Sequence, residues 1–189
     1  INNTKIINSD ENYKFEDIFN VINLNDSYYY GGQYQTAIYD VSKNKIFGVI
    51  VGDVINLNFE KLTLNLLKTF NKYNTGVYSI DEKRTSHKKV ICILSKKDNL
   101  KIVENTDCGI WFIHPSIVSK LRNIEYNKLT PYGWGIDIIT NKESVKNKKL
   151  SIRDYSLSCT QTDFSTGYNC NNAEKGQKII EEWYKKNIK

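Results

Sequence analysis

The sequence predicts an α/β fold in which a mixed, mostly parallel sheet is covered by helices. Three observations predict it. Short apolar runs such as Ile46 to Val51 and Ile110 to Ile113 have the length and β-branched content of buried strands. The segment from Phe59 to Phe70 places Phe59, Leu62, Leu66, Leu67 and Phe70 at helical spacing. Strand-like and helix-like segments then alternate along the chain, as a sheet flanked by helices requires.

Taken in order, Thr4 to Ile7 reads as a short strand, closed by the polar turn Asn8-Ser9-Asp10, and Phe15 to Val21 as a short helix. Gly31-Gly32 opens a helix from Gln33 to Tyr39. Lys45 to Val51 follows as a buried strand with Gly52-Asp53 at its end, and the amphipathic helix from Phe59 comes next. Gly76 to Ile80, Val90 to Leu94 and Ile110 to Ile113 read as strands, and Ser116 to Leu121 as a helix after Pro115. A helix starts at Ile136 and runs to Asn141, a last short strand covers Ser156 to Cys159, and Ala173 to Tyr184 forms a terminal helix rich in Lys and Glu.

With 189 residues, the chain is expected to form one domain, and no internal repeat or linker argues for a second. Its composition, 40% hydrophobic and 25% charged, is that of a globular protein, and no apolar run nears the roughly 20 residues a membrane helix needs. No signal peptide is visible. A chain without methionine that begins at Ile1 is expected to be a processed or cloned piece, incomplete at its amino end. Cys92, Cys108, Cys159 and Cys170 lack C-x-x-C spacing and have only His87 and His114 to join them, so reduced thiols in a cytoplasmic setting are expected rather than a zinc site. The net charge of +6 is spread over several lysine clusters, which favours polyanions in general. Phosphate-bearing small molecules and the edge of an anionic membrane fit that distribution, and no nucleic-acid partner is expected.

The most distinctive stretch is Pro131-Tyr132-Gly133-Trp134-Gly135-Ile136-Asp137. Glycine lets backbone approach a ligand, proline restrains the entry, and an indole offers a flat apolar face with one N–H donor. A carboxylate beside such a platform suits a hydroxyl-rich ligand, whereas a tight turn plugged by tryptophan is the structural alternative. Asp53, directly after a buried strand, stands where ligands gather in open α/β sheets. A hard divalent cation held there would bridge a carboxylate to a diphosphate, and a turn before Asn56 is the plainer reading.

Four segments, in order, resemble the nucleotide-sugar glycosyltransferases of GT-A type, close to the large inverting family that builds bacterial polysaccharides. They are Tyr30-Gly31-Gly32-Gln33-Tyr34-Gln35-Thr36-Ala37-Ile38, Val49-Ile50-Val51-Gly52-Asp53-Val54, Thr106-Asp107-Cys108-Gly109-Ile110-Trp111-Phe112-Ile113 and Gly133-Trp134-Gly135-Ile136-Asp137. Arg153-Asp154-Tyr155 with Thr166-Gly167-Tyr168-Asn169 is a weaker fifth match. The resemblance implies a GT-A-like Rossmann-type sandwich and transfer of a sugar from a nucleotide-diphosphate donor to a hydroxyl of a glycan or glycoconjugate. It implies Asp137 as the catalytic base, and Asp107, Trp134, Gly133, Gly135 and Gln33 as substrate-binding residues. Asp53 would hold Mn²⁺ or Mg²⁺, with Asp163 or Gln161 standing where the family carries a metal-binding histidine. A nucleotide- or glycan-binding domain of the same fold without turnover is the alternative.

Overall fold

The computed structural model describes residues 5–8, 20–24, 28–41, 44–52, 54–82, 87, 89–161 and 170–188. In chain order the elements are β1 (Lys5–Asn8), β2 (Asn20–Asn23), α1 (Tyr30–Tyr39), β3 (Phe47–Ile50), β4 (Val54–Ile55), α2 (Phe59–Lys72), β5 (Thr75–Glu82) and β6 (Val90–Ser95). They continue as β7 (Leu100–Val103), β8 (Ile110–Ile113), α3 (Pro115–Leu121), α4 (Tyr126–Leu129), α5 (Ile136–Lys146), β9 (Leu150–Gln161) and α6 (Cys170–Asn187). The chain divides into two compact units, one of residues Ile1–Ser42, Arg122–Ile136 and Tyr168–Lys189, the other of Lys43–Leu121 and Asp137–Gly167.

In the first unit, β1 and β2 pair in parallel with Lys5 opposite Asn20 and Asn8 opposite Asn23. Helix α1 packs on α4 through Tyr34, whose ring meets that of Tyr126 edge-on at 5.0 Å. Both rings are buried, so the edge-to-face geometry adds to the apolar contact. Gly31 permits the approach: its N–H donates to the Pro131 carbonyl at 2.7 Å, and a Cβ there would stand 2.1 Å from the Thr130 carbonyl oxygen. The glycine pair that reads as a helix opening thus lies inside the helix, at the point of closest contact. The sequence places a helix over Phe15 to Val21; Asn20 and Val21 belong to β2 instead, and residues 15–19 lie outside the described residues. The pattern Asn20-Val21-Ile22-Asn23 is too short for its period to be decisive, so strand pairing settles it.

The second unit is built on a seven-stranded sheet of order β3-β8-β5-β9-β7-β6, with β4 joined to β9. The α/β class with a mixed sheet covered by helices is therefore what the chain adopts. Its balance differs from the sequence expectation: within this sheet β5 and β9 run parallel, and the other pairings are antiparallel. Every residue from Thr75 to Ile80 is buried, which requires cover on both faces of β5. On one, Leu62 of α2 packs into a cluster with Tyr78, Ile80, Ile110, Leu157 and Cys159. Around Gly76, Ile117 of α3 and Ser144 of α5 close in. Helix α2 starts where Asn58 accepts a hydrogen bond from the Lys61 N–H at 2.9 Å, a side-chain cap that satisfies one orphan donor.

Strand β9 runs twelve residues, far beyond the expected Ser156 to Cys159. Its first half is hidden from apolar pattern reading because Ser151, Arg153 and Asp154 are buried along with Ile152. The register against β5 also jumps, with Ile80 opposite Asp154 but Asp81 opposite Ser158, so residues 155–157 bulge out of the ladder. Among the described residues no helix is long and apolar enough to cross a membrane.

Candidate functional site

Three segments of the second unit meet around His87. The imidazole Nε2 lies 2.5 Å from the Asp137 carboxylate, in the first turn of α5. The hydrogen bond to Asp137 raises the His87 pKa above its ordinary value, and the nearby charge of Asp107 acts in the same direction, against the lowering effects of burial and Arg153. The net effect is to favour the imidazolium over the neutral ring. Asp107 is itself fixed by the loop before β8, where its Oδ1 accepts from the Cys108 N–H at 2.7 Å.

Two side chains hold these segments in place. Arg153, only 1% exposed, donates through one guanidinium nitrogen to the His87 carbonyl at 2.7 Å and through the other to the Asn105 carbonyl at 3.2 Å. Its Nε is buried with no hydrogen-bond partner among the described residues. Asn141, one turn after Asp137, donates to the Asp137 carbonyl at 2.8 Å and to the Thr106 hydroxyl at 3.1 Å. Below them, the buried Glu82 at the end of β5 accepts from the Ile110 N–H at 2.8 Å and ties β5 to the start of β8. A planar, permanently charged guanidinium suits the bridging position, since it reaches two carbonyls from one fixed plane.

The structure therefore bonds Asp137 to His87 and places Asp107 near enough for its charge to act on the same ring. His87 stands out in the sequence only as one of two histidines available to join the cysteines, and Arg153 and Asn141 carry no motif signal beyond the weak Arg-Asp-Tyr match. Asp53 and Asp163 lie outside the described residues, as do Thr166 to Asn169, and Gln161 is the last residue of β9. Among the described residues no group of three or more His, Cys, Asp or Glu side chains is arranged to hold a metal ion.

Gly133, Trp134, Gly135 and Gln33 belong to the first unit. Gly133 and Gly135 have φ of 86° and 90°, a region L side chains rarely adopt, and a Cβ on Gly133 would stand 2.3 Å from the Tyr30 ring. Trp134 accepts a hydrogen bond at its carbonyl from the Thr130 hydroxyl at 2.8 Å. Gln33 donates to the Tyr28 carbonyl at 3.4 Å. The turn's own geometry accounts for its glycines. His114 is also accounted for locally: its Nδ1 accepts from the Ser116 N–H at 3.1 Å at the start of α3, its ring stacks on Phe70, and burial lowers its pKa.

No protein-family model matches the chain, and no curated protein matches it. Solved structures do. Apo UDP-glucose pyrophosphorylase matches with a TM-score of 0.47 and 14% identity, over 90% of this chain and 65% of its own. UDP-glucose pyrophosphorylase complexed with UDP-glucose matches with 0.46 and 14%, over 89% and 66%, and the UTP-bound UGPase from Acinetobacter baumannii with 0.44 and 10%, over 93% and 64%. The likeness is one of fold. The chain spans just under two thirds of the length of these structures.

The comparisons do not bear out the expected GT-A glycosyltransferase, with sugar transfer from a nucleotide-sugar donor to a glycan acceptor: the matched structures are named as pyrophosphorylases. The physical reason is that an α/β sheet with acidic residues beyond its strands hosts many reactions. The segment that carried the resemblance most specifically, Gly133 to Asp137, divides into a turn that needs glycine and a carboxylate already bonded to His87.

Proposed function

We propose that this chain belongs to an enzyme of nucleotide-sugar metabolism that joins a sugar 1-phosphate to a nucleotide. In this reaction a sugar-phosphate oxygen attacks the α-phosphorus of a nucleoside triphosphate. One P–O bond forms, the bridge to the β-phosphate breaks, and pyrophosphate leaves with the electron pair. The observation that carries the proposal is the His87–Asp137 hydrogen bond of 2.5 Å, with Asp107 alongside. A carboxylate engaged by an imidazolium is a poor base for a neutral sugar hydroxyl. A sugar phosphate needs no base, because its oxygen is already ionised at neutral pH. What such a reaction needs is positive charge and hydrogen-bond donors facing the phosphates, and a cationic His87 supplies both.

Asp107 and Asp137 would accept hydrogen bonds from sugar or ribose hydroxyls and keep His87 protonated, and Arg153 would hold the loop that carries it. Mg²⁺ or Mn²⁺ carried by the triphosphate, with Asp53 as the protein ligand, would neutralise phosphate charge. The test is a screen of nucleoside triphosphates with sugar 1-phosphates, reading nucleotide-sugar by mass and pyrophosphate by release. His87→Ala is expected to lower turnover by about 10²-fold or more, the scale of a lost donor to developing charge. Substrate binding without any product would turn the reading to a binding domain of the same fold.

A further inference from the structure

Arg153 and Asp154 are consecutive on β9 and serve opposite faces of the sheet, as neighbouring strand residues do. Arg153 reaches the carbonyls of His87 and Asn105, whereas Asp154 faces α2 and accepts from the Tyr78 hydroxyl at 2.7 Å and the Asn65 amide at 2.8 Å. Over Asp154 opens a cavity of about 270 Å³, lined among others by Lys61, Asn65, Lys68, Tyr73, Lys97 and Ser156. His87, Asp107, Asp137 and Arg153 are not among its lining residues.

The cavity lining carries three lysines, Lys61, Lys68 and Lys97, against the two carboxylates of Asp98 and Asp154. Lys61 donates to the Ser156 carbonyl at 2.7 Å, a neutral acceptor, and forms no ion pair among the described residues. Lys68 and Lys72 both lie against the single carboxylate of Asp98, at 2.6 and 3.9 Å, and Lys97 adds a further cation to the lining. Asp154 is fully buried and acts from beneath: its Oδ1 takes the Ser156 N–H at 2.8 Å, and its Oδ2 orients Asn65. Asn65 in turn donates to the Ser156 Oγ at 3.1 Å. A hydroxyl that accepts one hydrogen bond keeps its own proton to donate, so Ser156 offers an O–H to a ligand. The volume lies just under the roughly 300 Å³ at which ligand pockets begin, which is too small for a nucleotide.

We propose that this cavity is an accessory site for a phosphate group, brought by a small phosphate monoester or as free phosphate. Lys61 and Lys97 supply the charge and Ser156 the directed donor. The test is a titration of the ¹⁵N-labelled chain, separately with inorganic phosphate and with glycerol 3-phosphate, followed by amide ¹H–¹⁵N spectra. Saturable shifts are expected at the amides of Lys97, Asp98 and Ser156, with a Kd at or below about 1 mM. Tighter binding of glycerol 3-phosphate assigns the site to monoesters, and equal or weaker binding assigns it to free phosphate. Replacing both exposed lysines, K61A with K97A, should weaken binding at least about tenfold without unfolding the chain. His87→Ala should leave these shifts in place. Shifts that fail to saturate, or a double variant that binds like the parent, would overturn the proposal.

Discussion

Replacing Arg153 with methionine tests whether one side chain positions the site. The guanidinium is 1% exposed and makes two hydrogen bonds to backbone carbonyls, at His87 and Asn105. Hydrogen bonds from a charged donor contribute roughly 1.5–3 kcal/mol each, and a buried carbonyl left without a partner costs about 1–3 kcal/mol. The 3.2 Å bond is the weaker of the two, and removing a buried cation also removes its desolvation cost, which offsets part of the loss. A net loss of about 2–4 kcal/mol is expected, against a typical total of 5–15 kcal/mol. Urea unfolding followed by far-ultraviolet dichroism measures it. Arg153→Lys should recover only part, because an ammonium is a point charge and cannot span both carbonyls from one plane. An Arg153→Met variant within about 0.5 kcal/mol of the parent, the range of ordinary surface changes, would refute the positioning role.

Other outcomes follow from single sites. Because the folded pKa of His87 is raised, its ion pair with Asp137 stabilises fully below the unfolded value of about 6.5 and loses that contribution as pH rises through the folded pKa. The stability gap between parent and Asp137→Asn should therefore narrow toward alkaline pH; the difference cancels His114, whose lowered pKa acts with the opposite sign. Leu62→Ala, in the α2 cluster, should cost about 2–5 kcal/mol, whereas Leu64→Ala on the exposed side of the same helix should cost under about 0.5 kcal/mol; equal losses in denaturant would contradict the packing. Gly133→Ala should lower stability by at least about 1–2 kcal/mol from its positive φ and the Tyr30 contact, seen as a lower unfolding midpoint. If the chain behaves as the single domain expected from its length, the parent should unfold in one transition by calorimetry; two resolved transitions would make the two units independent domains.

Part of the sheet is legible in the sequence because β8 buries consecutive apolar residues; the run Ile46 to Val51, expected as a buried strand, instead supplies the edge strand β3, which leaves Ile50 exposed, as β6 at the other edge leaves Ile91 and Ile93. Ile110 to Ile113 coincides with β8, and the helical spacing from Phe59 finds α2. Legibility fails where buried residues are polar. Arg153, Asp154 and Ser151 lie inside the protein, satisfied by tertiary hydrogen bonds, and so the first half of β9 is invisible to apolar patterning. The same holds for the site. Asp107 and Asp137 stand beside glycines, tryptophan and strand ends, which marks them, whereas His87 sits among lysines and gains meaning only when α5 sets Asp137 against it. The glycines at 133 and 135 are conspicuous, but a required positive φ and a ligand contact leave the same mark on a sequence.

The most direct test of the central claim, that a protonated His87 faces the substrate's phosphates, is the titration of its imidazole by ¹⁵N resonance with and without pyrophosphate. The account predicts a midpoint above that of a free histidine in the parent, moved higher still when pyrophosphate binds, because a second anion further favours the imidazolium. A midpoint that pyrophosphate leaves unchanged, while binding is seen elsewhere on the chain, would contradict it.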